Sequence, residues 1–160
     1  LKVYGHDGDY QQTSAFVNPA TGEMLICTPR EINYTPVHEL IHIASNPDFG
    51  RNTNQAVDEA VTEYFTHRIT AQRNVIRSSE YDVLGSTDVI AEIVKIHGEE
   101  ILRSAYFQTG KEGVEALRQA VDQKLGKGAF ARVVELMDQP HAPPKQIALD
   151  LLRWQGATKK

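Results

Sequence analysis

The pattern of apolar and polar positions divides the chain into a short extended beginning and a long helical remainder. Residues 1–13 are polar, contain glycine and show no clear period. Residues 14–18 and 23–28 are short apolar runs separated by Pro19-Ala20-Thr21-Gly22. Proline and glycine at those positions favour a tight turn, so the pair predicts a β-hairpin. Met24-Leu25-Ile26-Cys27 is too continuous for a strand with one wet face, which predicts cover on both faces.

From Thr35 onward the spacing is helical. Thr35-Pro36 reads as a helix start, with threonine as the cap and proline in the first turn. That helix is predicted to run to about Ser45 and to stop before Asn46-Pro47. A second helix is predicted over 54–72 and a third over 86–97. Gly98 then interrupts before Ile101, Leu102, Ala105 and Tyr106. Val114, Leu117, Val121 and Leu125 recur at helical spacing, as do Phe130, Val133, Val134 and Met137. Pro143-Pro144 opens a last helix through Trp154. The predicted class is α+β: one mostly helical domain over 1–160, with a small N-terminal β-hairpin packed on the helix that begins at Thr35.

Composition narrows the function. A chain of 160 residues with 41% hydrophobic and 24% charged residues suits one globular domain and argues against disorder. No apolar run approaches the ~20 residues that span a bilayer, and the start does not resemble a signal peptide. A net charge of −4 disfavours nucleic acid as a partner. The single cysteine, Cys27, excludes an internal disulfide and a multi-cysteine zinc site, and it suits a small apolar packing role. Leu1 in place of Met suggests a processed chain or a piece of a larger protein, such as a secreted protease or a toxin-like effector.

Among the six histidines, His38-Glu39-Leu40-Ile41-His42 fits H-E-x-x-H. Residues i and i+4 of a helix differ by ~40° in azimuth and ~6 Å in rise, so both imidazoles reach one tetrahedral metal. Glu39 sits ~60° round from His42, where it can touch a water on the metal without ligating it. Zinc lowers the pKa of such a water to ~7, and Glu39 is placed to take its proton as the oxygen attacks a carbonyl. With His38 at zero azimuth, Val37, Leu40, Ile41 and Ala44 fall in one apolar stripe, and the histidines lie outside it. The stripe is therefore expected to face the core.

Two histidines and a water leave zinc one protein ligand short. Asp48 is one candidate, six residues past His42 in the turn Asn46-Pro47-Asp48. Glu59 and Glu63 are the others, four apart and so on one helix face. That face carries Gln55, Ala56, Thr62, Thr66 and Thr70, short or uncharged side chains that permit close approach of another helix.

Asp58-Glu59-Ala60-Val61-Thr62-Glu63 resembles the Asn-Glu-x-x-Ser-Asp segment that follows H-E-x-x-H in thermolysin-like proteases, and is similar to the Asn-Glu-Gly segment of zinc aminopeptidases. Both are gluzincins. The resemblance covers about 35–67 and implies His38, His42 and Glu59 as zinc ligands, Glu39 as the base, and Glu63 as the carboxylate that orients His38. Asp58 stands for Asn, Ala60 for Gly and Glu63 for Asp, and Glu59 follows His42 by 17 positions. The aminopeptidase Gly-x-Met-Glu-Asn motif is missing, which favours an endopeptidase acting on a peptide or protein substrate. Gluzincins also use a Tyr or His as oxyanion donor, for which Tyr34, His67, Tyr81, His97 and Tyr106 are candidates and Tyr106 the favourite. The expected edge strand over 23–28 would pair with substrate. Two other readings compete: another zinc amide hydrolase such as a deformylase, whose Glu-Gly-Cys ligand motif Cys27 lacks, and a non-catalytic scaffold whose zinc is closed by four protein ligands.

Overall fold

The computed structural model describes residues 15–18, 20–21, 23–26, 35–71, 86–139 and 142–154. Extended structure among them is confined to β1 (Ala15–Val17) and β2 (Met24–Ile26), which pair antiparallel with Phe16 opposite Leu25. Eight helices make up nearly all the rest: α1 (Thr35–Ala44), α2 (Pro47–Asn52), α3 (Gln55–Ala71), α4 (Ser86–His97), α5 (Glu99–Phe107), α6 (Glu112–Leu125), α7 (Ala129–Met137) and α8 (Ala142–Trp154).

The α+β expectation is thereby corrected to a mostly helical fold. Strands of three residues lie at the bottom of the usual range, and an isolated pair of them is marginal at best, so they build no sheet layer. The helices bury their apolar faces on one another and share a single core from Ile41 to Leu152. Among the described residues no helix is long and apolar enough to cross a membrane.

The packing order explains how the site is held. α3 is the hub, lying against α1, α2, α4 and α7. α5 and α6 form a close pair because Gly113 has no side chain: a Cβ there would stand 2.7 Å from the carbonyl oxygen of Ser104. Gly98 joins α4 to α5 at a φ of +87°, a conformation that costs glycine least.

Two boundaries depart from the sequence expectation. Asn46-Pro47-Asp48, expected as a terminating turn, opens α2: the Asn46 side chain accepts from the Asp48 N–H at 3.0 Å, and Pro47 fills the first helical position. The α1 stripe is also reassigned. Ile41 is buried and Val37 packs on the core, whereas Leu40 is 55% exposed and Ala44 is exposed; His38 is buried in their place. The cause is the neighbour. α1 faces the polar side of α3, so its histidine side turns inward.

Candidate metal centre

The site forms where α1 crosses α3. His38 and His42, one turn apart, present their Nε2 atoms to each other at 3.2 Å. Glu59 of α3 brings Oε2 to 3.3 Å from each. The three atoms make a nearly equilateral triangle. Donors on a tetrahedral ion with bonds of ~2.0–2.1 Å stand ~3.3–3.4 Å apart, so the three edges fit such an ion.

The outer nitrogens settle the tautomers. His38 Nδ1–H donates to Glu63 Oε2 at 3.2 Å, inside the core, where both side chains are 1% exposed. His42 Nδ1 lies 3.2 Å from Thr62 Oγ1 and 3.4 Å from Asp58 Oδ2. With both Nδ1 atoms acting as donors, both Nε2 lone pairs point at the triangle with a carboxylate oxygen. Three lone pairs converging at this range repel unless a cation stands among them. Without a metal, protons take that role. Burial pulls the His42 imidazolium down, but hydrogen bonds and charge from Asp58 and Glu59 outweigh it and push its pKa up to about 10. Burial likewise opposes ionisation of Glu59, yet the two histidines hold its carboxyl down to about 2. His38 is raised in the same way, against its burial, by Glu59 and Glu63.

His38, His42 and Glu59 are the one group among the described residues whose ligand atoms converge in this manner. Asp48 is not part of it; its carboxylate pairs with Arg51 on α2 at 3.2 Å. Glu63 is not part of it either, and sits behind His38, accepting also from His67 Nε2–H at 2.7 Å. Glu39 is buried beside the histidines, and burial first of all pushes its carboxyl above the ordinary range.

The candidate oxyanion donors fare differently. Tyr106 is corrected: it is fully buried, and its hydroxyl meets Thr62 Oγ1 at 2.5 Å on the Nδ1 side of His42, away from the triangle. His67 is engaged by Glu63. His97 ends α4 near Lys124 of α6, outside the triangle. Tyr34, Tyr81 and Cys27 lie outside the described residues.

The roles of Asp58 and Thr62 at His42, and of His67 at Glu63, were missed from the sequence. Their signal was present: 58, 59, 62 and 63 are the i, i+1, i+4 and i+5 positions of α3, one face two residues wide.

No protein-family model, curated protein or solved structure matches the chain.

Proposed function

We propose that this chain is a zinc-dependent endopeptidase of gluzincin type, with Glu39 as general base. The observation that carries the reading is the convergence of His38 Nε2, His42 Nε2 and Glu59 Oε2 within 3.3 Å, beside a buried carboxylate on the same helix that is not one of the three. Two imidazoles and one carboxylate are a donor set that suits zinc in hydrolytic sites. His38, His42 and Glu59 would hold the ion. Zinc, when bound, lowers the pKa of a water and polarises a carbonyl.

The chain's own residues supply the rest. Burial raises Glu39, which brings its proton affinity closer to the range useful for a base at neutral pH. Glu63 holds the outer nitrogen of His38, and Thr62 with Asp58 behind it that of His42, fixing tautomer and ring direction. The Glu59 side chain is 35% exposed and that of His42 21%, so the triangle has an open side through which a substrate can arrive. Among the described residues no fourth ligating side chain closes it, which favours a hydrolytic over a scaffold role.

Incubation of the zinc-loaded protein with a mixed peptide library, followed by mass spectrometry, tests the reading. Internal cleavage that a chelator stops and added zinc restores is the expected result. One zinc per chain with no peptide cleaved would overturn the endopeptidase in favour of a metal-stabilised scaffold.

A further inference from the structure

The two imidazoles are anchored by different means. His38 is enclosed and tied to a buried carboxylate. His42 is part-exposed, and its nearest outer contact is the hydroxyl of Thr62 at 3.2 Å, with Asp58 farther at 3.4 Å. A threonine hydroxyl inside a helix ordinarily bonds back to the carbonyl four residues earlier. Thr66 and Thr70 do so, donating to Thr62 O at 2.8 Å and Thr66 O at 2.7 Å. Thr62, on the same face, instead meets the Tyr106 hydroxyl at 2.5 Å.

Tyr106 is well placed to hold that rotamer. Its ring lies edge-on to Phe49 and Phe107, with centroids at 4.9 and 5.0 Å, and stacks on Phe65 at 5.9 Å. Its carbonyl accepts from the Asn46 N–H at 2.6 Å, which ties α5 to the segment just after α1. Burial, then the charge of Asp58, keep the phenol protonated. The donor order that uses both contacts runs from His42 Nδ1–H to Thr62 Oγ1 and from the Thr62 hydroxyl to the Tyr106 oxygen.

We propose that Tyr106 is a positioning residue of the metal centre, acting through Thr62 to aim His42 Nε2 at His38 and Glu59. The inference rests on the metal-binding reading above. It makes the aromatic core beneath α1 part of the centre's support.

The test measures zinc affinity by competition with a chromophoric chelator at one pH, together with the visible absorption of the cobalt-loaded protein. Tyr106→Phe keeps the ring and removes the hydroxyl; Thr62→Val removes the intermediary. Each is expected to weaken zinc about 10- to 100-fold and to alter the cobalt bands, the range for losing a group that orients a metal ligand. The double variant should bind about as weakly as Thr62→Val alone, since both changes break one chain of contacts. Thr62→Ser, which keeps the hydroxyl, and Thr66→Val, whose hydroxyl serves a carbonyl, should stay within about twofold of wild type. Far-ultraviolet circular dichroism identifies the variants that remain folded. Wild-type affinity and cobalt bands in folded Tyr106→Phe would overturn the inference alone, as would losses that multiply in the double variant. A wild-type chain that takes up neither zinc nor cobalt would overturn the metal centre itself.

Discussion

The α1–α3 crossing and the α6–α8 half of the molecule bury side chains of opposite kinds. Among the residues of α6, α7 and α8 whose burial is described, the buried positions are Val114, Leu117, Val121, Phe130, Val133, Leu136, Met137, Ala148, Leu149 and Leu152, together with Lys145. At the crossing they include His38, Glu39, Thr62 and Glu63. Apolar burial stabilises without regard to direction, at roughly 25 cal/mol per Å². Burying hydroxyls, imidazoles and carboxylates costs stability unless each finds a partner at the right angle. The α6–α8 half therefore works as a frame, and the crossing holds groups whose value lies in their direction. On the proposed reading the polar layer serves the metal centre, and substitutions in the two regions should separate cleanly.

The largest effect is expected at the crossing. Glu39→Gln should leave zinc stoichiometry and thermal unfolding near wild type while lowering kcat by about 10²- to 10⁴-fold, the range for losing a general base. Peptide cleavage at an undiminished rate in that variant would move the base elsewhere. The frame should respond in the opposite sense. Leu117→Ala, at a buried position of α6, should cost about 2–5 kcal/mol by denaturant unfolding. Zinc affinity of the protein that remains folded should not change, so a loss of affinity here would dissolve the distinction between frame and site.

How legible each region was in the sequence follows the same division. Leu117 and Val121, or Val133 and Met137, announce their helices because the partner surface is apolar and the 3.6-residue period reports it. The periodicity argument failed on α1, where it sent Leu40 inward and left His38 outside. It assumes an apolar neighbour, and α3 offers Thr62 and Glu63 instead. The residues of H-E-x-x-H could be read because one helical turn fixes the spacing of two ligands. Glu59 was named from the likeness of its segment to gluzincins, whereas its meeting with the two histidines, and the turning of Asp48 to Arg51, depend on tertiary packing that helical spacing alone does not encode. Tyr106 was misjudged for a similar reason: a tyrosine hydroxyl takes its role from whatever tertiary contact it meets, here Thr62. The α+β class failed on scale. Two apolar runs near the start do contain extended segments, but three residues each are too few to make a layer beside eight helices.

A smaller effect sharpens the contrast within the crossing itself. Glu63→Gln keeps a hydrogen-bonding oxygen at His38 but removes the charge, and zinc affinity is expected to fall by about 10- to 100-fold with zinc still bound at high free metal. Glu59→Ala removes a donor of the triangle and should exceed that loss in the same chelator titration. The reverse order would make Glu63 the ligand and Glu59 its support.

The effect on the fold itself is smallest in the dependence on pH, whose sign differs between the metal-free and metal-loaded protein. In the metal-free chain His42 is raised from 6.5 to about 10. Its contribution to stability is fully present below pH 6.5 and is lost as pH rises through about 10. Glu59 is lowered from 4.5 to about 2, so its contribution is present above pH 4.5 and is lost as pH falls through about 2. The pair therefore supports the metal-free fold best between about pH 4.5 and 6.5. Zinc needs the imidazoles without their inner protons, so each ion bound below pH 10 must expel at least the His42 proton. Zinc affinity should then rise by at least about tenfold for each unit of pH between 6 and 9, and the rise in melting temperature at a fixed zinc excess should grow with it. The α6–α8 half takes no part in this exchange, so Leu117→Ala should shift both curves in stability without changing the slope of affinity against pH. A flat affinity across that range would mean that His42 carries no proton in the metal-free state and that the three lone pairs are kept apart by other means.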